Sequence, residues 1–150
     1  VIDPATTANV YAVHLKSNYG ATTAELVASN REKRTLAIAQ VAEQERPRRG
    51  RARRPVVIAG DMNADRWRKE FKSERIFGIL DEAGFVNLLS LLPADARGTH
   101  PSRTYGSSAL DYVFCRGLKA VEGPRVIPND GLSDHQAVFV PLCLNSSSAR

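Results

Sequence analysis

One short apolar run that ends in polar residues constrains the fold of this chain more than any other feature. Residues 56–59 (VVIA) carry no polar side chain, and the run ends at Gly60. A run of this length is typical of a strand buried on both faces, and chemistry often lies where such a strand ends. Asp61 and Asn63 follow directly, and they project to the same side if the chain stays extended. The segment predicts an internal strand with a candidate polar site at its end.

The rest of the chain alternates strand-like and helix-like segments. Residues 9–15 (NVYAVHL) are apolar on both alternate faces and predict a strand covered on both sides. Residues 23–44 are rich in helix-forming residues. A second helix is predicted with Ser73 as its cap and Gly84 at its end. Residues 85–92 are predicted to start a further strand.

The second half of the chain is predicted to contain a long polar loop and two more strands. The loop covers residues 93–108, and the strands cover residues 110–115 and 136–142. Alternating strands and helices predict an α/β sandwich. The helices are few for a sheet with two apolar faces, so one face is expected to lack a helical cover. If that face is apolar and open, the chain should dimerise or aggregate.

Composition limits the class of protein. The chain has 150 residues, of which 43% are hydrophobic and 25% charged, as in a single globular core. No apolar run reaches the ~18 residues needed to span a bilayer, so no membrane-spanning helix is predicted. Cys115 and Cys143 lie in apolar segments, which suits two buried thiols as well as one disulfide. Neither reading fixes a compartment.

The basic charge is concentrated in one stretch. The net charge is +5, and six arginines lie between residues 46 and 54, so the remainder carries 5 − 6 = −1. The stretch is predicted to be an exposed connection. Several guanidinium groups close together indicate that the partner is a polyanion such as nucleic acid. The alternative is a solvated basic loop that binds nothing. The arginines are Arg46, Arg48, Arg49, Arg51, Arg53 and Arg54, and Arg48, Arg49, Arg51 and Arg53 are the candidate polyanion contacts.

Several polar side chains break the apolar pattern, and each has two readings. The Asp61 carboxylate could bind a hard cation or orient a water, and the Asn63 amide could donate to a phosphoryl oxygen. The alternative is that the two residues form a turn with Asx hydrogen bonds. Asp111 lies in a predicted strand, where a carboxylate needs a cationic or imidazole partner. The alternative to a functional role is a structural ion pair with an arginine. His14 is either a catalytic group or a satisfied core histidine.

Asp134 and His135 follow a turn and precede the last predicted strand. A carboxylate and an imidazole at the end of a sheet suit a metal ligand and a general acid or base.

Four blocks in this order resemble the endonuclease/exonuclease/phosphatase superfamily, which has the DNase I-like fold. They are VHLKS at 13–17, GDMNA at 60–64, ALDYV at 109–113 and LSDH at 132–135. The resemblance covers nearly the whole chain and includes Arg34 and Gln40 on the intervening helix. It implies part of a four-layer α/β sandwich, with a mixed, mostly antiparallel sheet and flanking helices.

The resemblance also implies an activity, which is Mg²⁺-dependent hydrolysis of a phosphodiester or phosphomonoester by in-line attack of water. Mn²⁺ is an alternative cation. Asp61 would orient or deprotonate the water, and Asn63 would hold a phosphate oxygen. Asp134 would be a metal ligand.

The two histidines and one arginine complete the implied site. His135 would act on the phosphate while Asp111 fixes its tautomer. His14 would stabilise the phosphoryl charge or assist the leaving group, and it is also a candidate substrate contact. Arg103, in the polar loop, is a further candidate substrate contact.

The chain differs from the resembled superfamily in length. Superfamily members are about twice as long, and their first half supplies an Asn and a Glu to the metal site and an acid that supports the first histidine. Here Asp3 is the only acid before His14, and its position beside Pro4 does not match. Residues 1–150 are therefore interpreted as the C-terminal portion of such a domain, completed by an N-terminal half or by a second copy.

Two other classes of function are weighed against the phosphohydrolase. The first is a non-catalytic, truncated module that binds nucleic acid or a partner chain through residues 46–54. The second is a structural interaction protein, which would require the four blocks to be coincidental.

Overall fold

A computed structural model describes residues 7–46, 54–102, 104 and 106–145. Two α-helices lie in these ranges, α1 (Ala24–Gln44) and α2 (Ile76–Glu82). Short 3-10 helices span Lys69–Phe71, Leu88–Leu91 and Ala94–Ala96. The strands are β1 (Asn9–His14), β2 (Val56–Asp61), β3 (Val86–Asn87), β4 (Asp111–Arg116), β5 (Leu118–Ala120), β6 (Arg125–Ile127), β7 (Ala137–Phe139) and β8 (Leu142–Leu144).

A four-stranded sheet with the order β1-β2-β4-β3 forms the centre of the fold. β1 runs parallel to β2, while β2 and β3 are both antiparallel to β4. Two antiparallel pairs, β5 with β8 and β6 with β7, lie beside it. The mixed, mostly antiparallel α/β architecture predicted from the sequence is confirmed.

The two faces of the central sheet differ in their cover. On one face, side chains such as Ile58 and Phe114 are fully buried against residues of α1 and α2, including Ile38 and Leu80. On the other face, Cys115 is buried against Leu88 and Leu118. The cover of this second face does not extend over β1.

β1 therefore differs from the prediction. Residues 9–15 were expected to be covered on both sides, but the core contacts come from one alternate set alone, in which Leu15 is buried and Tyr11 and Val13 are partly buried. Val10 is 69% exposed, and Ala12 and His14 are also exposed. The apolar alternation is real, but nothing in the described residues lies over this edge of the sheet.

α1 begins and ends where the sequence indicates. Thr23 is the N-cap, and its Oγ1 accepts a hydrogen bond from the Leu26 N–H at 3.2 Å. Arg34, from the middle of the helix, is completely buried and pairs with Glu74, which precedes α2. The same guanidinium donates to the Lys16 carbonyl at 2.6 Å. α1 is thereby fixed to the segment that follows β1.

Three predicted elements have different bounds in the structure. Ser73 lies in a turn and does not cap α2, whose N-cap is Arg75 without a side-chain hydrogen bond. Residues 85–92 form the short strand β3 and then a 3-10 helix. The predicted strand 136–142 is divided into β7 and β8 around Pro141, because proline cannot donate to a ladder.

The sequence analysis did not identify β5 and β6. Each contains three residues, too few for a periodic pattern. Cys115 and Cys143 are both free, and burial raises the pKa of the Cys115 thiol. Within the described ranges, no helix has the length and apolar character needed to cross a membrane.

Candidate active site

The register of the central sheet places three polar residues in one row. His14, the last residue of β1, is paired with Asp61 at the end of β2, and Asp61 is paired with Asp111 at the start of β4. In-register neighbours point to the same side of a sheet. The row lies on the same face of β1 as the exposed residues Val10 and Ala12, which we call the exposed apolar strip. The row is the polar end of this strip.

Gly60 allows β1 and β2 to approach closely beside this row. Its φ is +135°, a backbone conformation that residues with a side chain rarely adopt. An added Cβ would lie 2.0 Å from the Val13 carbonyl oxygen. A glycine at this position therefore brings His14 next to Asp61.

Asp61 and Asn63 form a compact hydrogen-bonded unit. The Asn63 N–H donates to Asp61 Oδ1 at 2.7 Å, and its side-chain amide donates to Asp61 Oδ2 at 2.9 Å and to the Leu15 carbonyl at 2.9 Å. Asn63 has a positive φ of 49°. The Asx turn that the sequence analysis gave as an alternative is therefore present, and it is the turn that brings both side chains together. Met62, between the two residues, is fully buried.

Two imidazoles flank the Asp61 carboxylate. His14 Nε2 is 3.6 Å from Asp61 Oδ2, and His135 Nε2 is 4.0 Å from the same oxygen. The His14 side chain is 78% exposed, which excludes its alternative reading as a core histidine. The arrangement leaves both Nε2 atoms beside one carboxylate oxygen.

Asp111 has the imidazole partner that the sequence analysis considered. Its Oδ2 lies 2.7 Å from His135 Nδ1, which is the imidazole contact of the two alternatives. A carboxylate only accepts hydrogen bonds, so Nδ1 carries the proton and the lone pair of a neutral ring lies on Nε2. Asp111 therefore directs Nε2 of His135 toward Asp61.

Asp134 lies outside this row. Its carboxylate is 82% exposed and is 4.0 Å from His100 Nε2. The ring of His100 lies 4.8 Å from the ring of His135. Among the described residues, His100, Asp134 and His135 form a group whose ligand atoms all lie within 4.8 Å of one another.

Opposing charges and burial set the protonation of the site. Burial raises the pKa of Asp61, and the Asp111 carboxylate acts in the same direction, while the Asn63 N–H opposes both. Burial disfavours a charged His135, but the hydrogen bond and charge of Asp111 together with the charges of Asp61 and Asp134 outweigh it and raise the pKa of His135. Asp61 and His135 therefore both keep a proton to higher pH than they would free in water.

This arrangement suits reactions in which protons move near a charged oxygen. Asp61 can accept a proton from water, and imidazoles on either side can donate to phosphoryl or leaving-group oxygens. Asp134 offers an exposed carboxylate to a hard cation. Both amide hydrogens of Asn63 are already used, so it contacts a phosphate oxygen only if its bond to Asp61 is exchanged.

Two groups of predicted site residues cannot be placed. Arg103 and the candidate polyanion contacts Arg48, Arg49, Arg51 and Arg53 lie outside the described residues. Of the basic stretch, Arg46 and Arg54 are described. Arg54 is exposed, and Arg46 Nε lies 3.1 Å from Glu43 Oε2.

The sequence analysis missed His100 and the buried Thr99. Thr99 Oγ1 accepts hydrogen bonds from the N–H groups of Leu110 and Asp111, both at 3.0 Å. Its carbonyl accepts from the Gln136 N–H at 2.7 Å. Thr99 therefore joins the backbones beside Asp111 and His135. The single available signal was a histidine within a polar loop.

Solved structures with the same fold include proteins with different stated activities. An endonuclease/exonuclease/phosphatase from Beutenbergia cavernae DSM 12333 matches with a TM-score of 0.62 at 20% identity, over 91% of this chain and 36% of its own. D. rerio TDP2 complexed with a single-strand DNA product matches at 0.55 and 16% identity, over 89% and 55%. A mannosyl-6-phosphatase from Bacteroides thetaiotaomicron VPI-5482 matches at 0.51 and 15% identity, over 77% and 46%.

These matches are to longer proteins, since the chain spans between 36% and 55% of their lengths. At such identities they show the fold alone, which is DNase I-like. No curated protein matches the sequence closely enough to count as a relative. The profile of the Endonuclease/Exonuclease/phosphatase family matches residues 2–135. Because this match covers most of the chain, the protein belongs to the endonuclease/exonuclease/phosphatase family.

Proposed function

We propose that this chain carries the catalytic residues of a metal-dependent phosphohydrolase, which cleaves phosphodiester or phosphomonoester bonds by in-line attack of water. The observation that carries the proposal is the position of Asp61 Oδ2 between two imidazole Nε2 atoms, at 3.6 and 4.0 Å. Membership in the family supports phosphoester hydrolysis as the class of reaction.

Asp61 orients the attacking water and accepts its proton. Asn63 holds the Asp61 carboxylate through two hydrogen bonds, and one of these can be exchanged for a phosphate oxygen. The raised pKa of Asp61 suits a proton acceptor, because a general base works best when its pKa is close to the operating pH.

His135 and His14 act on the phosphate. Asp111 keeps the Nδ1 proton of His135 in place, so that Nε2 faces the reacting group and stabilises charge there when protonated. His14, exposed on the other side of Asp61, donates to a phosphoryl oxygen or to the leaving group.

The donor set fits a hard divalent cation only in part. The exposed carboxylate of Asp134 is the residue that would hold Mg²⁺ or Mn²⁺, since both ions prefer oxygen ligands. When bound, such a cation would neutralise charge on the phosphoryl oxygens. One carboxylate is too few for a complete site.

A second half completes the site in this proposal. The chain is the C-terminal portion of a domain, and the remaining metal ligands and the acid that supports His14 come from an N-terminal half or a second copy. Two observations support this view, namely the exposed apolar strip beside His14 and the coverage of 36–55% of the matched proteins.

Nucleic acid is the proposed substrate class. The supporting observations are the arginines of residues 46–54 in the sequence and the single-strand DNA product bound to D. rerio TDP2. The alternative is a non-catalytic module that binds nucleic acid through the same stretch. Such a module would show salt-dependent binding without turnover.

Hydrolysis of plasmid DNA and of a chromogenic phosphodiester by the purified chain tests the proposal, with and without Mg²⁺. Where a second copy completes the site, we expect turnover that His135→Ala abolishes and that Glu122→Gln, in an exposed bend, leaves unchanged. If a folded chain shows no turnover on either substrate, completion of the site by a second copy is wrong, and activity requires an N-terminal half. Salt-dependent DNA binding by that inactive chain would establish the alternative.

A further inference from the structure

His100 is a titratable residue at the site that the proposed reaction does not use. Its Nε2 points toward the Asp134 carboxylate, at 4.0 Å, and its ring lies 4.8 Å from that of His135 at an interplanar angle of 58°. The sequence contains three histidines, and two of them meet here.

The backbone around His100 is held by hydrogen bonds from distant residues. His100 forms an isolated antiparallel bridge with Ser108, with N–H to carbonyl distances of 2.9 and 3.0 Å. The preceding Thr99 bonds to Asp111 on one side and to Gln136, which follows His135, on the other. The position of His100 relative to His135 is therefore fixed by the fold.

His135 has one nitrogen available for a ligand. Asp111 occupies Nδ1, which leaves the lone pair of the neutral ring on Nε2. A carboxylate that orients a histidine in this way is the usual support for a metal-ligating imidazole. Asp134, with its side chain 82% exposed, is free to rotate toward the two rings.

Two imidazoles and one carboxylate select a different cation from Mg²⁺. Nitrogen ligands suit Zn²⁺ and other borderline cations, whereas Mg²⁺ takes oxygen ligands almost exclusively. With Zn–N bonds of ~2.0–2.1 Å, tetrahedral ligands lie about 3.3–3.5 Å apart. One ligand atom from each of the three residues lies within 4.8 Å of the other two, so side-chain movements of roughly 1–2 Å bring the ligand atoms to that spacing.

We infer that His100, Asp134 and His135 form a binding site for a borderline divalent cation of the Zn²⁺ class. Water would complete the coordination, since three protein ligands leave one tetrahedral position open. An ion bound here occupies Nε2 of His135 and makes that nitrogen unavailable to a phosphate ester.

Cobalt is the spectroscopic probe for this site. The tag-free, metal-stripped chain is titrated with Co²⁺, and we expect a visible absorption band that saturates at one Co²⁺ per chain. Equimolar Zn²⁺ should displace the cobalt, and a large excess of Mg²⁺ should not. A chain that gives no band, or loses it to Mg²⁺, would overturn the inference.

Two variants and one control assign the ligands. His100→Asn should weaken Co²⁺ and Zn²⁺ binding at least tenfold, and Asp134→Asn should do the same with little effect on folding because its side chain is exposed. His14→Asn removes the third histidine, which lies beside Asp61 and outside the group, and should bind as the unaltered chain does. Equal affinity in all four proteins, or loss only in His14→Asn, would contradict the site. None of these measurements depends on hydrolysis, so the inference can fail or hold independently of the proposed reaction.

Discussion

Asp111 Oδ2 lies 2.7 Å from Nδ1 of His135, a residue 24 positions away that precedes β7. This contact connects the central sheet to the segment that follows the last turn. Together with the pairing of Asp61 and Asp111, it assembles polar residues from three distant parts of the chain at one sheet end.

Asp111→Asn should lower the pKa of His135. The carboxylate raises that pKa through a hydrogen bond and through its charge, and a neutral amide removes the charge and weakens the bond. The imidazole should therefore lose its proton at lower pH. NMR titration of the imidazole signals in metal-free buffer measures this directly. Asp95→Asn, on an exposed 3-10 helix, is the control, and an unchanged pKa in Asp111→Asn would show that the contact does not persist in solution.

Thr99→Val should destabilise the fold by about 1–3 kcal/mol. The substitution keeps the shape of a fully buried side chain but leaves the Leu110 and Asp111 N–H groups without their acceptor. Urea unfolding followed by circular dichroism gives the free energy of unfolding. Thr99→Ser keeps the hydroxyl and should lose less. If serine and valine cost the same, the hydroxyl bonds are not the cause.

The strand that ends at Gly60 and Asp61 was predictable because it has a continuous apolar run with an abrupt polar end. α1 was predictable for a different reason, since residues 23–44 are rich in helix-forming residues. The row of His14, Asp61 and Asp111 was not predictable from periodicity, because it depends on register across one parallel and one antiparallel pair. Only the resemblance indicated that these residues meet.

Thr99 and His100 could not be found by pattern. Their loop has no periodicity, and their positions depend on hydrogen bonds to Ser108 and Leu110 across the loop and to Gln136, which lies far along the chain. The cover of β1 could not be predicted either, because an apolar alternation shows only that a face suits burial. It does not specify what lies over that face.

Gly60→Ala should destabilise the fold by about 3 kcal/mol or more, because the new Cβ meets the Val13 carbonyl in a strained backbone conformation. Gly78→Ala is the matched control. Gly78 lies in α2, and its Cβ would meet nothing within 4 Å, so alanine should raise stability by roughly 0.5–1 kcal/mol. Thermal and urea unfolding measure both. A Gly60→Ala chain as stable as the unaltered one would mean that β1 and β2 are farther apart than described.

Glu74→Gln should cost about 3–5 kcal/mol, because it leaves the buried guanidinium of Arg34 without its counter-charge. Glu43→Gln breaks an exposed pair with Arg46 and should change stability by less than about 0.5 kcal/mol. The difference between the two free energies of unfolding isolates the effect of burial. Equal small losses would indicate that water reaches Arg34 in the folded chain.

The exposed apolar strip on β1 should make the chain associate. Val10 is 69% exposed and Ala12 is also exposed, on an edge strand whose backbone can pair with another chain. Sedimentation velocity over a range of concentrations should show dimers or larger species. Introducing Val10→Lys and Ala12→Lys together should shift the population toward monomer, because two charges cannot be buried in an apolar contact without large cost. Leu36→Lys, at a 55% exposed position on α1, should leave association unchanged. A chain that sediments as a monomer at every concentration would instead mean that this face is stable in water on its own.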